Sequence, residues 1–217
     1  MFALTYPERP SLHVGLTAAV IALALVASTA APAMAQWWER PWREPTPWWE
    51  PAPWPADAEC TITGTDASEV LVGTPGFDVI CGLGGDDVIR ARNGNDIVRG
   101  GSGSDLIYGG RGSDRLYGED GNDRIYAELG NDTVQGGYGR DFIYGGRGQD
   151  YLAGGGGNDV IVGGGGRDRL YGQAGQDVLR ARQGDRDRTI HGGGGRDIAY
   201  LDSRDPRPAA TERVRRR

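Results

Sequence analysis

The chain has 217 residues, 38 of them glycine, and a formal net charge of −6. Average glycine usage is about 7%, so this content means either low-complexity disorder or an architecture that needs glycine at fixed backbone positions. All 24 basic residues are Arg, and the acidic balance argues against a nucleic-acid footprint. Only His13 and His191 could act as histidine bases or ligands, which leaves hydrolytic and zinc chemistry little to work with.

Residues 1–35 read as an export signal. Met1 to His13 is polar, residues 14–31 form an apolar run (VGLTAAVIALALVASTAA), and Ala33-Met34-Ala35 supplies a small-x-small site, so cleavage is predicted after Ala35. The competing reading is a retained membrane anchor, since the run nearly spans a bilayer. The Ala-x-Ala site favours cleavage, which leaves no transmembrane span and predicts a secreted, extracellular chain. An oxidising destination makes a Cys60–Cys81 disulfide the favoured reading, with two idle thiols as the alternative.

Residues 36–59 (QWWERPWREPTPWWEPAPWPADAE) hold all six Trp, interleaved with Pro. Pro at this density blocks helix and central strand and leaves an extended, polyproline-like linker. It is either a stiff spacer or an aromatic surface for extracellular glycan, cell wall or a partner protein.

From residue 60 the chain changes character. Aspartates fall at Asp78, Asp87, Asp96, Asp105, Asp114, Asp123, Asp132, Asp141, Asp150, Asp159, Asp168 and Asp177, nine residues apart without a slip. Two residues after each stands an aliphatic, from Ile80 to Leu179, and two before each a glycine, from Gly76 to Gly175. Weaker copies of the frame precede these at Cys60/Ile62 and Glu69/Leu71. The frame breaks at Gln183–Arg188, where two extra residues intervene, and resumes from Gly192 to Asp197. A strict period over this length means a repeat architecture, not disorder.

Each unit divides into a six-residue polar turn and a three-residue strand, as in residues 136–141 (GGYGRD) followed by Phe142-Ile143-Tyr144. Glycine lets the turn pass through positive φ. Alternation in the strand sends the central aliphatic inward and its flanks outward. The predicted fold is all-β: a parallel β-roll, or β-solenoid, over residues 60–203, with two nine-residue Gly/Asp repeats per coil. The aspartates then form two columns, one from Asp78 to Asp168 and one from Asp87 to Asp177. Coils stack at about 4.8 Å, and carboxylates held that close repel unless a cation, a proton or unfolding relieves them. Ca2+ suits such a site, being a hard ion that takes six to eight oxygens in flexible geometry. Mg2+ demands a tighter octahedron, and no His or thiolate set is present for a transition metal. One buried aliphatic per nine residues is little to set against the entropy of ordering them. Ion binding is therefore expected to supply much of the folding free energy.

The unit resembles the hemolysin-type calcium-binding (RTX) repeat, G-G-x-G-x-D-x-U-x, over residues 64–200. The resemblance implies several Ca2+ ions held between stacked turns by the Asp side chain and the glycine-turn carbonyls. That role carries over most fully to Asp105, Asp114, Asp141, Asp150, Asp159 and Asp168. Their turns contribute Gly101, Gly103, Gly110, Gly112, Gly137, Gly139, Gly146, Gly148, Gly155, Gly157, Gly164 and Gly166. Asp78, Asp87, Asp96, Asp123, Asp132 and Asp177 complete the candidate ligand set. Glu119, Ala127-Glu128, Ala91-Arg92 and Gln173 replace turn glycines, which implies weaker or empty sites there. Glu69 and the Gln183–Arg188 break imply end caps. Many family members leave the cell by a C-terminal signal, whereas this chain has an N-terminal one and a basic tail, residues 204–217, expected to be disordered.

Tyr108, Tyr126 and Tyr144 lie 18 residues apart and are predicted to form an outward ladder, with Tyr117 and Tyr171 on the opposite face. They either stabilise the stacked strands or form a binding face. No catalytic domain fits beside the repeats. HExxH is absent, Gly100 to Ser104 misses the GxSxG elbow, and no GK[ST] follows a glycine-rich turn. The sequence thus predicts a calcium-binding protein without catalytic activity of its own. The alternative is a surface adhesion or matrix protein that uses the Trp-rich arm or Tyr ladder, with calcium as scaffold. Bound Ca2+ would also turn the surface positive and favour anionic polymers.

Overall fold

The computed structural model describes residues 59–181, 186–206, 208–211 and 213–216. The expected signal segment, the Trp/Pro-rich linker up to residue 58, and residues 182–185 of the break lie outside the described residues.

Among the described residues all regular elements are strands, and no helix is long and apolar enough to cross a membrane. Numbered in chain order, the strands alternate between two parallel sheets, except that the last two both lie in the second. The first holds β1 (Ile62–Thr63), β3 (Val79–Gly84), β5 (Ile97–Ser102), β7 (Arg115–Asp120), β9 (Thr133–Tyr138), β11 (Tyr151–Gly156), β13 (Arg169–Ala174) and β15 (Thr189–Gly194). The second holds β2 (Val70–Val72), β4 (Val88–Asn93), β6 (Leu106–Arg111), β8 (Arg124–Leu129), β10 (Phe142–Gly148), β12 (Val160–Gly166), β14 (Val178–Ala181), β16 (Ile198–Leu201) and β17 (Arg213–Arg216). Registers such as Leu116↔Val134 and Ile125↔Ile143 show that two repeats make one coil. This is a parallel β-roll.

The aliphatic of each repeat explains the packing. In β6, Ile107 is fully buried while its flanks Leu106 and Tyr108 are half-buried. The core is one such row from each sheet, with Leu116, Val134 and Leu152 facing Ile107, Ile125 and Ile143 between the sheets. Burying each side chain contributes about 1.5–3 kcal/mol. Near the N-terminal end a disulfide joins Cys60 to Cys81, with a Cα–Cα distance of 5.9 Å. Cys81 packs there against Val79 and Ile97.

The strands are longer than the three residues predicted. β4 pairs with β6 not only at Ile89↔Ile107 but also, past the corner at Gly109, at Arg92↔Gly110 and Asn93↔Arg111. Because every coil turns at the same residue, the turns stack as regularly as the strands. Their N–H groups then find carbonyls on the next coil, as Gly112 N–H does at Leu129 C=O (2.9 Å).

The expectation of a disordered tail is also corrected. β17 pairs in register with β16, from Ile198↔Arg213 to Leu201↔Arg216. Ala209 bridges His191, and its carbonyl accepts from Gly192 N–H at 2.9 Å. Main-chain pairing is indifferent to side-chain charge, so a basic strand can cover an open sheet edge.

Candidate metal centre

The turns bring the predicted aspartates together in two columns, one on each edge of the roll, and all twelve are buried. Within a column, each Asp main-chain N–H donates to Oδ1 of the Asp one coil further on. Examples are Asp78 to Asp96 (2.9 Å) and Asp132 to Asp150 (2.9 Å) in one column, and Asp87 to Asp105 (2.8 Å) and Asp141 to Asp159 (2.9 Å) in the other. The columns are therefore not stacks of bare carboxylates, because one oxygen of each is held by the backbone.

The other oxygen is not. Oδ2 is buried without a hydrogen-bond partner in Asp87, Asp96, Asp105, Asp114, Asp123, Asp132, Asp141, Asp150, Asp159, Asp177 and Asp197. Leaving such a group unsatisfied costs about 1–3 kcal/mol, and more when it is charged. At Gly145, the Oδ2 of Asp150 and the carbonyl oxygen of Gly163 face the same gap, 2.6 and 2.5 Å from where a Cβ would stand. Gly109 repeats this arrangement with Asp114 Oδ2 and Ala127 O, both at 2.8 Å. The available donors are therefore all oxygens, one carboxylate with main-chain carbonyls, which is the donor chemistry Ca2+ takes. Among the described residues no three His, Cys, Asp or Glu side chains converge, so a cation here must draw on carbonyls. Ala91 and Ala127 stand in place of this glycine and are fully buried, so in their coils a methyl group occupies the gap.

The twelve turn glycines singled out by sequence all lie at φ between +103° and +146°. Where other residues replace the second glycine, the backbone keeps its left-handed turn: Leu83, Arg92, Glu119, Glu128 and Gln173 lie at φ +75° to +82°. Each costs about 1–2 kcal/mol. At Gly110 the requirement is steric as well, since a Cβ would run into the carbonyl oxygen of Arg92.

Burial dominates the electrostatics. It pushes Asp105, Asp114, Asp159 and Asp177 up to about 6, Asp123 and Asp150 up to about 7, and Asp132 up to about 8. The main-chain hydrogen bond within the column opposes this rise, and the neighbouring carboxylates add to it.

Sequence reasoning missed two column members. Asp168 N–H donates to Asp187 Oδ1 (2.9 Å), and Asp187 N–H donates to Asp205 Oδ1 (3.2 Å). Asp197, already in the resumed frame, extends the other column by accepting from Asp177 N–H (2.9 Å). The break is thus no end cap at Asp187. One extra residue is absorbed as a bulge, with the N–H groups of Arg188 and Thr189 both directed at Asp168 C=O (2.8 and 3.5 Å). Asp187 lies 19 residues after Asp168, one residue off the frame, and that slip concealed it. Glu69 does end its column. Its N–H donates to Asp87 Oδ1 (2.8 Å), while its own carboxylate accepts from Thr65 N–H (2.8 Å).

Tyr108 stacks on Tyr126 at 5.3 Å, and Tyr126 meets Tyr144 at 6.5 Å, along the second sheet. Tyr117 and Tyr171 stand on strands of the first sheet, where Tyr171 packs against Tyr151 (5.1 Å). Four segments of the chain, residues 63–98, 99–134, 126–161 and 154–186, match the RTX calcium-binding nonapeptide repeat. No curated protein matches the chain significantly.

Proposed function

The chain belongs to the RTX calcium-binding nonapeptide repeat family, and from that membership we propose an exported module, without catalytic activity of its own, that folds around several Ca2+ ions. The observation that carries this reading is the row of buried, unpartnered Asp Oδ2 atoms along both edges of the roll. A bound divalent cation would neutralise them and bind neighbouring coils to each other.

The ligands on this reading are the twelve aspartates from Asp78 to Asp177, with the carbonyls of the turn glycines named above. The strongest sites are the fully matching turns around Asp105, Asp114, Asp141, Asp150, Asp159 and Asp168. Coils with Ala91 or Ala127 bind more weakly, because a methyl group fills the gap. The oxidised Cys60–Cys81 pair fits an extracellular location.

Isothermal titration of the mature chain with Ca2+ tests this directly. Several ions should bind per chain, and Asp141→Asn with Asp159→Asn should lower the number bound. An unchanged stoichiometry in that double variant would overturn the ligand assignment.

A further inference from the structure

A cleft of about 640 Å³ opens on the second sheet, and none of the column aspartates lines it. Its origin lies in the register Arg92↔Gly110↔Glu128 across β4, β6 and β8. Gly110 forms the floor, and the side chains of Arg92 and Glu128, one coil to either side, form walls. Both wall residues hold left-handed backbone, at φ +82° and +75°, where the repeat places a glycine free of that strain. Strain retained for a side chain is a pointer to its use.

The rest of the lining fits one chemistry. Arg90 and Arg111 join Arg92, so three exposed guanidinium groups face a single carboxylate. Among the described residues no carboxylate pairs with Arg92 or Arg111. Arg90 lies over the Tyr108 ring at 5.7 Å, and that ring stacks on Tyr126. Asn93 supplies an amide. Guanidinium forks match carboxylate and sulfate oxygens in pairs, and Asn93 with Glu128 can bond hydroxyl groups.

We propose that this cleft binds an acidic saccharide, a sugar chain bearing carboxylate or sulfate groups. The anionic groups sit on Arg92 and Arg111, and sugar hydroxyl groups bond Asn93 and Glu128. A DNA strand fits less well, because its phosphodiester backbone offers Glu128 no hydroxyl donor, whereas a sugar chain does. The cleft spans three coils and exists only when they are stacked, so its calcium dependence rests on the folding reading above.

The test is fluorescence anisotropy of a labelled heparin hexasaccharide with the mature chain in Ca2+. Maltohexaose and hexathymidylate serve as neutral and nucleic-acid controls. Binding should weaken about tenfold or more in Arg111→Ser and in Arg92→Gly. Arg92→Gly installs the glycine of the repeat at a strained position, so misfolding does not explain a loss, and circular dichroism of both variants checks the roll. Wild-type affinity in both folded variants overturns the proposal, as does equal binding of maltohexaose or hexathymidylate. Binding that persists in chelator with the same arginine dependence upholds the cleft and sinks only the calcium-folding reading.

Discussion

The main-chain N–H of Asp132 donates to Oδ1 of Asp150, 18 residues on, at 2.9 Å, and leaves Asp150 Oδ2 buried and unpartnered. One oxygen holds the coil to its neighbour and the other is left for a cation or a proton. Substitution separates the two roles. Asp150→Asn keeps the acceptor but loses the charge, so the roll should still form while the Ca2+ midpoint rises about tenfold, as ligand charge is lost. Asp150→Ala also orphans the Asp132 N–H and should cost a further 1–3 kcal/mol or so. Equal effects of Asn and Ala, in calcium titrations followed by circular dichroism, would refute the division of labour.

Acidity should act in opposite directions with and without metal. In the metal-free roll, burial raises Asp132 to about 8 and Asp123 and Asp150 to about 7, from an ordinary value of 3.8. The folded chain thus binds more protons than the unfolded one. Its metal-free stability should rise as pH falls from about 8 through these values, and be lost as pH rises again. In chelator, β content should therefore increase between pH 8 and pH 5. In calcium, protons compete for the same oxygens, so the Ca2+ midpoint should increase over that range. Less β structure in chelator at pH 5 than at pH 8 would contradict this.

The Cys60–Cys81 disulfide closes a separation of 21 residues and tethers the first coil. The loop-entropy account gives such a closure about 3 kcal/mol. Cys60→Ser should speed hydrogen exchange at Thr61 N–H, which donates to Val79 C=O at 2.8 Å, while amides near Ile143 stay protected. Uniform loss of protection along the roll would show that the bond supports more than its own end.

Truncation after Asp202 tests the corrected tail. It removes Asp205, which accepts from Asp187 N–H, and β17, which covers the edge of β16. Exchange at Ile198 to Leu201 should rise at least tenfold once that cover is gone. Unchanged protection there would return the tail to a disordered appendage.

The coil and both columns were legible because they rest on side chains that cannot be exchanged freely. A buried Ile, Leu or Val every nine residues fixes the register, Asp fixes the edges, and positive φ selects glycine at positions such as Gly110. The strand at Arg213–Arg216 was not legible, since main-chain pairing leaves no mark on side-chain pattern. Asp187 was hidden because it lies 19 residues after Asp168, one residue off the frame. The Oδ1 hydrogen bonds were missed because reading the columns as mutual repulsion alone overlooked the main-chain donor that each coil presents to the next. The replacements at Arg92 and Glu128 read as weakened glycine turns, but with Gly110 between them they build a cleft.

The most direct test is far-UV circular dichroism of the mature chain through a Ca2+ titration, with Mg2+ in parallel. A cooperative coil-to-β transition with Ca2+, absent with Mg2+ at equal concentration, is the predicted result. A β spectrum already complete in chelator at neutral pH would contradict it, since the buried Asp Oδ2 atoms would then be tolerated without metal.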